Sequence, residues 1–276
     1  MPSSRFRVVT DSTADLPESW RERYQIGVVP LTVSFGNESF KDRVDITDEQ
    51  FFKRLAGAKE LPKTAAPSPG DFAAMYESLR GDCDGIISIH LGGNISATVE
   101  SARIGAQTVE GLPIEVIDSG TVTMPIAFLC KVAAESSTVE EAKARVEERI
   151  DRTRVLALLD TLRYVEMGGR VSRAQAMIGG MLDLKPLLGV SGGEIKSLDR
   201  VRTRSRAIPR MIELARADYP LEYLGVVHAQ APEEADRIRQ ELQPELPDVE
   251  IVTGTIGTVL ATHTGPRALG LVYLKR

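Results

Sequence analysis

Short apolar segments alternate with helical patterns through the first half of the chain, and this alternation constrains the fold most. Four segments are typical of buried strands because each is short, apolar and rich in Val or Ile. Strands that alternate with helices favour a parallel sheet with helices on both faces. The predicted strands are 7–10, 27–33, 85–90 and 114–118, and the predicted helices are 17–24, 48–55, 69–79, 96–109 and 124–135.

The pattern changes after a charged helical segment at 137–152. Two predicted strands, 187–190 and 194–197, flank a Gly-Gly pair that is typical of a hairpin turn. Further strands are predicted at 155–159, 223–228, 250–253 and 269–273, and helices around 168–169 and at 204–217 and 233–242. We therefore predict an α/β protein with two domains. Residues 1–152 form a three-layer α/β/α domain with a mainly parallel sheet, and residues 153–276 form an α+β domain with a mixed or antiparallel sheet.

Composition excludes several classes of function. The 276 residues carry a net charge of −5, which argues against nucleic acid or an anionic membrane surface as the main partner. No apolar run is long enough to cross a bilayer, and no secretory signal is visible. Cys83 and Cys130 have neither metal-binding nor redox spacing. These features predict a cytoplasmic protein that holds no metal and has no membrane span.

His263 is one of only three histidines and stands in the polar sequence Thr-His-Thr-Gly-Pro at 262–266, between two apolar segments. A turn accounts for Gly-Pro but does not require a histidine between two threonines. An imidazole and two hydroxyls at a bend beside a β-rich core are suited to holding a small polar head group. A histidine that is simply hydrogen-bonded in the core is the alternative.

Three other polar stretches, 10–17, 63–69 and 90–98, each follow or precede a predicted element. The first and third follow strands, and ligands of parallel sheets bind beyond the carboxyl ends of the strands. Ser96 lies near a predicted helix N-terminus, where free N–H groups favour an anion, although a cap fits equally well. Helix capping by Asp11 or Ser12 accounts for the first stretch, and a rigid loop that contains Thr64 accounts for the second.

Signals for catalysis are weak. The sequence contains no nucleophile elbow, no His-Glu-x-x-His motif and no Walker A loop. An enzyme in which His263 acts as a general base together with Asp11 or Asp118 is the alternative to a binding protein.

Arg170 follows a pair of glycines and can bind an anion or a partner protein, but a lone arginine is more often a solvated surface residue.

In their order along the chain, these blocks resemble the DegV family of bacterial lipid-binding proteins. The resemblance spans nearly the whole sequence, and the order of the blocks is more specific than any one of them. The matching stretches are 9–17, 64–68, 87–98, 116–119, 159–162, 168–172, 185–186, 193–195 and 262–266.

The resemblance implies that a long-chain fatty acid lies in a buried tunnel between the domains. It further implies a binding subunit without catalytic machinery or cofactor, which presents the acyl carboxylate to a separate ATP-using fatty-acid kinase subunit. Carried over by position, Thr64, Ser96 and His263 hold the carboxylate, and Arg170 lies at the mouth or on the kinase-facing surface.

Two positions depart from the family pattern, which has glycine where this chain has Ala97 and Arg267. Arg267 is the more consequential, since it adds a charge beside the expected head-group site or on the surface that faces the kinase.

Overall fold

The computed structural model describes residues 6–58, 60–167 and 184–276. Its first domain contains a parallel sheet in the order β2-β1-β6-β7 and a small antiparallel sheet in the order β4-β3-β5. The strands are β1 (Phe6–Asp11), β2 (Gly27–Val29), β3 (Thr32–Phe35), β4 (Glu38–Lys41), β5 (Lys63–Ala65), β6 (Gly85–His90) and β7 (Ile114–Asp118). The helices are α1 (Glu18–Tyr24), α2 (Asp48–Gly57), α3 (Pro69–Ser78), α4 (Thr98–Gln107), α5 (Met124–Ala134) and α6 (Val139–Ile150).

Helices cover both faces of the parallel sheet. Successive side chains of a strand point to opposite faces, so neighbouring valines of β1 enter different clusters. Val9 packs with Phe72 of α3, whereas Val8 belongs to the cluster that contains Trp20 of α1 and Leu129 of α5. The predicted three-layer α/β/α arrangement is therefore confirmed.

The second domain is built on a six-stranded sheet in the order β10-β9-β8-β13-β11-β12. Only β11 and β12 pair in parallel, so the sheet is mixed, as one of the two predicted alternatives had it. The strands are β8 (Thr153–Leu158), β9 (Lys185–Ser191), β10 (Glu194–Val201), β11 (Leu221–His228), β12 (Ile251–Thr255) and β13 (Leu269–Lys275). The helices are α7 (Arg163–Met167), α8 (Arg204–Arg216), α9 (Pro232–Leu242) and α10 (Thr258–Thr264).

The two faces of this sheet have different partners. Leu156 and Leu158 of β8 pack with residues of α8 and α9 in one cluster. On the opposite face, α5 of the first domain packs directly on β11, and Phe128 stacks on Tyr223 with ring centroids 5.3 Å apart. The apolar core is therefore continuous from one domain to the other.

Three local predictions differ from the structure. The predicted strand 27–33 is divided at Pro30, which lacks an N–H group, and the amide of Leu31 donates to Ser12 Oγ at 3.1 Å instead. Residues 63–65 form the short strand β5 rather than a loop, and His263 lies in a helix rather than at a bend. The short helix predicted around 168–169 lies outside the described residues. Within the described ranges, no helix is long and apolar enough to span a membrane.

Candidate functional site

A largely apolar cavity lies between the six-stranded sheet and the loops that follow the parallel strands of the first domain. Its empty volume, including the solvent at its opening, is about 1070 Å³. The loops after β6 and β7 supply Ile95 and Val122, so the cavity adjoins the carboxyl ends of the parallel strands, where such sheets bind ligands.

One wall of the cavity is a row of four residues across neighbouring strands. Leu188 pairs with Ala157, Ala157 with Gly270, and Gly270 with Val227, and all four line the cavity. The two smallest residues, Ala157 and Gly270, stand side by side in the middle of this row, and a methyl group of Val227 packs where a Cβ atom on Gly270 would lie. These strands were predicted from short apolar segments, which do not reveal an open cavity.

Two polar residues from different domains meet in the cavity wall. Thr64 lies on β5 and His263 in the last turn of α10, and Thr64 Oγ1 is 2.9 Å from His263 Nε2. Both side chains line the cavity, together with Val259 and Leu260 of the same helix. A hydroxyl and an imidazole are thus presented to an otherwise apolar space.

Ser96 lies in the wall of the same cavity, in the loop before α4. Its Oγ accepts from the amide of Thr98 at 3.3 Å and is 2.8 Å from Thr98 Oγ1. The N-cap residue is Ala97, so Ser96 is not itself the cap, although its hydroxyl accepts from the first amide of the helix and also lines the cavity. The structure thus brings together Thr64, Ser96 and His263.

Asp118 orders the two loops on this side of the cavity. Its Oδ1 accepts from the amide of Gly93 at 3.0 Å and from that of Gly120 at 2.9 Å. The carbonyl of Gly120 accepts from the amide of Gly193 in the β9–β10 turn at 2.6 Å, which joins the domains. Asp118, considered above as a partner of His263, supports the loop that carries Ser96.

Asp11 is paired with His90 rather than with His263. His90 Nδ1 lies 3.0 Å from Asp11 Oδ2, and Ser88 Oγ lies 2.6 Å from His90 Nε2. Burial alone would raise the pKa of Asp11, but hydrogen bonds from His90 and Thr13 outweigh it and hold that pKa below its ordinary value. Ser88, His90 and Asp11 are fully buried in the parallel sheet and do not line the cavity, so the suggested pair of His263 and Asp11 does not form.

Arg267 lies at the surface, next to the cavity-lining Ala268. Its backbone φ of 61° is left-handed, which fits a position where the family pattern has glycine. The guanidinium lies 3.6 Å from Asp160 and 3.8 Å from Glu234, and 56% of the side chain is exposed. A partner-facing role for Arg267 stays a prediction, and Arg170 lies outside the described residues.

If the cavity holds the fatty acid that the resemblance implies, replacing Arg267 with Gly is expected to change its affinity by less than about fivefold, since exposed ion pairs contribute only about 0–1 kcal/mol. Titration of fatty acid at low and at high salt checks this expectation. A large loss of affinity that disappears at high salt would instead place the guanidinium at the carboxylate, because salt screens exposed charges.

Comparisons with known proteins agree with one another. The family model described as "Uncharacterised protein, DegV family" matches residues 5–276. Protein DegV of Bacillus subtilis is 35% identical over 275 residues, which are 96% of this chain and 98% of the relative. The crystal structure of DegV, a fatty acid binding protein from Bacillus subtilis, is similar with a TM-score of 0.90 and 34% identity, over 99% of this chain and 100% of that one.

Two further solved structures are similar over almost their full length. One shows fatty acid binding of a DegV family protein from Thermus thermophilus, with a TM-score of 0.90, 29% identity, and coverage of 99% and 100%. The other is a stearic acid-binding protein from Eubacterium ventriosum, with a TM-score of 0.84, 25% identity and coverage of 98% of each chain.

Proposed function

Because this chain belongs to the DegV family, we propose that it binds one long-chain fatty acid in the cavity between its two domains. The observation that carries the proposal is the composition of the cavity wall. It is apolar except for a few polar groups, among them the bonded pair Thr64 and His263 and the hydroxyl of Ser96. The solved relatives that bind fatty acids support this assignment.

The acyl tail and the carboxylate of the ligand contribute to binding in different ways. Each methylene transferred from water to an apolar wall contributes about 0.8 kcal/mol, so the acyl tail supplies most of the affinity. The carboxylate loses hydration on burial and needs donors in exchange. The hydroxyls of Thr64 and Ser96 and the imidazole of His263 are the groups that we assign to the carboxylate.

We further propose that the protein presents this carboxylate to a separate ATP-using kinase subunit, which forms the acyl phosphate. In this scheme the chain needs no cofactor, and Arg170 and Arg267 lie at the mouth or toward the kinase. We also propose that the protein is cytoplasmic. We assign residues 1–152 to the first domain and 153–276 to the second, with the ligand between them.

The direct test is extraction of lipid from freshly purified protein, followed by mass spectrometry. We expect one long-chain fatty acid per chain, or stoichiometric uptake of added oleate or palmitate by delipidated protein. Neither copurified lipid nor uptake would refute the proposal. Acyl-phosphate formation that requires both this chain and a kinase subunit would support the second step.

An enzyme acting alone is the competing function. It predicts ATP hydrolysis or acyl-phosphate formation by this chain without a partner. The pairing of Asp11 with His90, fully buried away from the cavity, removes one of the two general-base pairs that the sequence suggested. The other candidate, Asp118, bonds the amides of Gly93 and Gly120.

A further inference from the structure

A buried polar cluster joins the first domain to the start of α10, the helix that supplies His263. Asp15 Oδ1 accepts from the amide of Gly257 at 2.8 Å, and Asp42 Oδ1 accepts from the amide and the hydroxyl of Thr258 at 3.1 and 2.6 Å. The two carboxylates thereby satisfy N–H groups at the helix start, although both come from the other domain.

Arg43 connects the carboxylates to the neighbouring strand. Its Nη2 lies 3.2 Å from Asp15 Oδ1 and donates to the carbonyl of Thr255 at 2.7 Å. Thr123, which lines the cavity, donates its hydroxyl to Asp15 Oδ2 at 2.6 Å. The cluster therefore reaches from β12 through the start of α10 to the cavity wall.

The backbone of the cluster is strained. Asp15, Arg43 and Thr123 have φ values of 45°, 59° and 58°, a region that residues with a side chain rarely adopt. Such conformations persist only where the surroundings fix them, and they gather at functional sites. A Cβ atom on Gly257 would come within 3.2–3.3 Å of Asp15, Arg43 and Asp42, so the glycine allows their close approach.

We propose that Asp15, Asp42 and Arg43 form an interdomain clasp that holds α10 in place, and that opening of this clasp controls how fast the cavity exchanges its ligand. The part that concerns the ligand rests on the proposed function, whereas the clasp itself does not. The three residues act as positioning residues, since they hold the helix that carries His263 and do not themselves line the cavity.

The charges of the clasp make its opening depend on pH. Burial raises the pKa of Asp15 from 3.8 to about 7, against the lowering effects of Arg43, Thr123 and the Gly257 amide. In an opened, hydrated clasp that pKa returns toward 3.8, so protons favour the closed state. Opening should therefore increase as pH rises, by up to about tenfold per pH unit, and level off above about pH 7.

Other charged groups face the same cluster. Burial raises the pKa of Asp42, and Asp48 lies 3.9 Å from Arg43. On β11, burial lowers the pKa of His228, which interacts with Asp48 and Asp236. Comparison of Asp15→Asn with the parent isolates the contribution of Asp15, because that variant stays neutral at every pH and nearly keeps the shape of the side chain.

The experiment measures hydrogen exchange of α10 in delipidated protein, from the acidic pH values where opening is expected to rise up to those above pH 7 where it levels off. The measured rates are corrected for the intrinsic exchange rate, and α6 serves as an internal reference. Asp15→Asn is expected to weaken the rise of α10 exchange with pH, leaving the dependence that Asp42 and His228 contribute. Gly257→Ala is expected to increase opening at every pH by about fivefold or more, since overpacking a tight site forces its neighbours apart. Gly57→Ala, where a Cβ atom meets nothing within 4 Å, is the matched control.

Exchange in α10 that is unchanged in both variants would overturn the clasp. A second arm measures release of bound fatty acid, which Gly257→Ala should accelerate by a similar factor. Faster exchange with unchanged release would refute the link to the ligand. Failure to bind any fatty acid would refute the proposed function, while the exchange measurement still decides whether the clasp exists.

Discussion

The double replacement of Thr64 by Val and Ser96 by Ala is expected to weaken fatty-acid binding ~100-fold or more. A hydrogen bond to a charged group contributes about 1.5–3 kcal/mol, and the variant removes the two hydroxyl donors that we assign to the carboxylate. Valine keeps the shape of threonine, so the cavity wall stays intact. Titration of delipidated protein with a fluorescent or isotopically labelled fatty acid measures the loss.

Thr264→Val is the matched control for this measurement. Thr264 also lines the cavity, but its hydroxyl is already donated to the carbonyl of Leu260 at 3.1 Å. We expect this variant to bind nearly as tightly as the parent. Equal affinities for the parent and the double variant would show that the carboxylate is held elsewhere, and equal losses in the double variant and the control would show that polarity of the wall in general matters.

Replacement of Asp11 by Ala is expected to lower the free energy of unfolding by about 3–5 kcal/mol, the usual cost of removing one member of a buried pair. The change leaves His90 Nδ1 and the amide of Leu91 without the carboxylate that each contacts at 3.0 Å. Urea unfolding followed by circular dichroism gives the difference. Asp45→Ala serves as the control, because Asp45 is exposed and bonds only the nearby Lys41 amide at 2.8 Å.

The same residue gives the unfolding free energy a pH dependence. The pKa of Asp11 is lowered in the folded protein, so its contribution is present above 3.8 and is lost as pH falls below that value. The parent should therefore lose more stability on acidification than Asp11→Asn does. A parallel decline in both proteins, or a cost below about 1 kcal/mol for Asp11→Ala, would contradict the assignment of a buried pair.

Local sequence patterns predicted most elements of the first domain, because the residues that determine those elements are neighbours in the sequence. Val8 and Val9 lie in a short apolar strand, and Ser68 with Pro69 begins a helix at the predicted residue. The helix that carries His263 was missed because its start is capped by Asp15 and Asp42, more than two hundred positions earlier in the chain. Such a cap leaves no signal in the neighbouring sequence.

The site required more than local reasoning. Thr64 and His263 are 199 positions apart, and nothing in either segment indicates that they meet. The resemblance to the DegV family assigned both residues to the expected carboxylate site, whereas the residues alone favoured a rigid loop for Thr64. The packing of the domains brings together polar groups that are distant in sequence. The periodicity of apolar residues along the chain cannot reveal this part of a site.

The position of α10 also has a consequence for biosynthesis. Its start depends on carboxylates that are translated more than two hundred residues before the helix itself. A nascent chain on the ribosome therefore displays Thr64 and much of the apolar wall before their partners have been translated. Exposed apolar surface of this kind promotes aggregation, so translation of α10 and β13 both completes the cavity wall and shields its apolar lining.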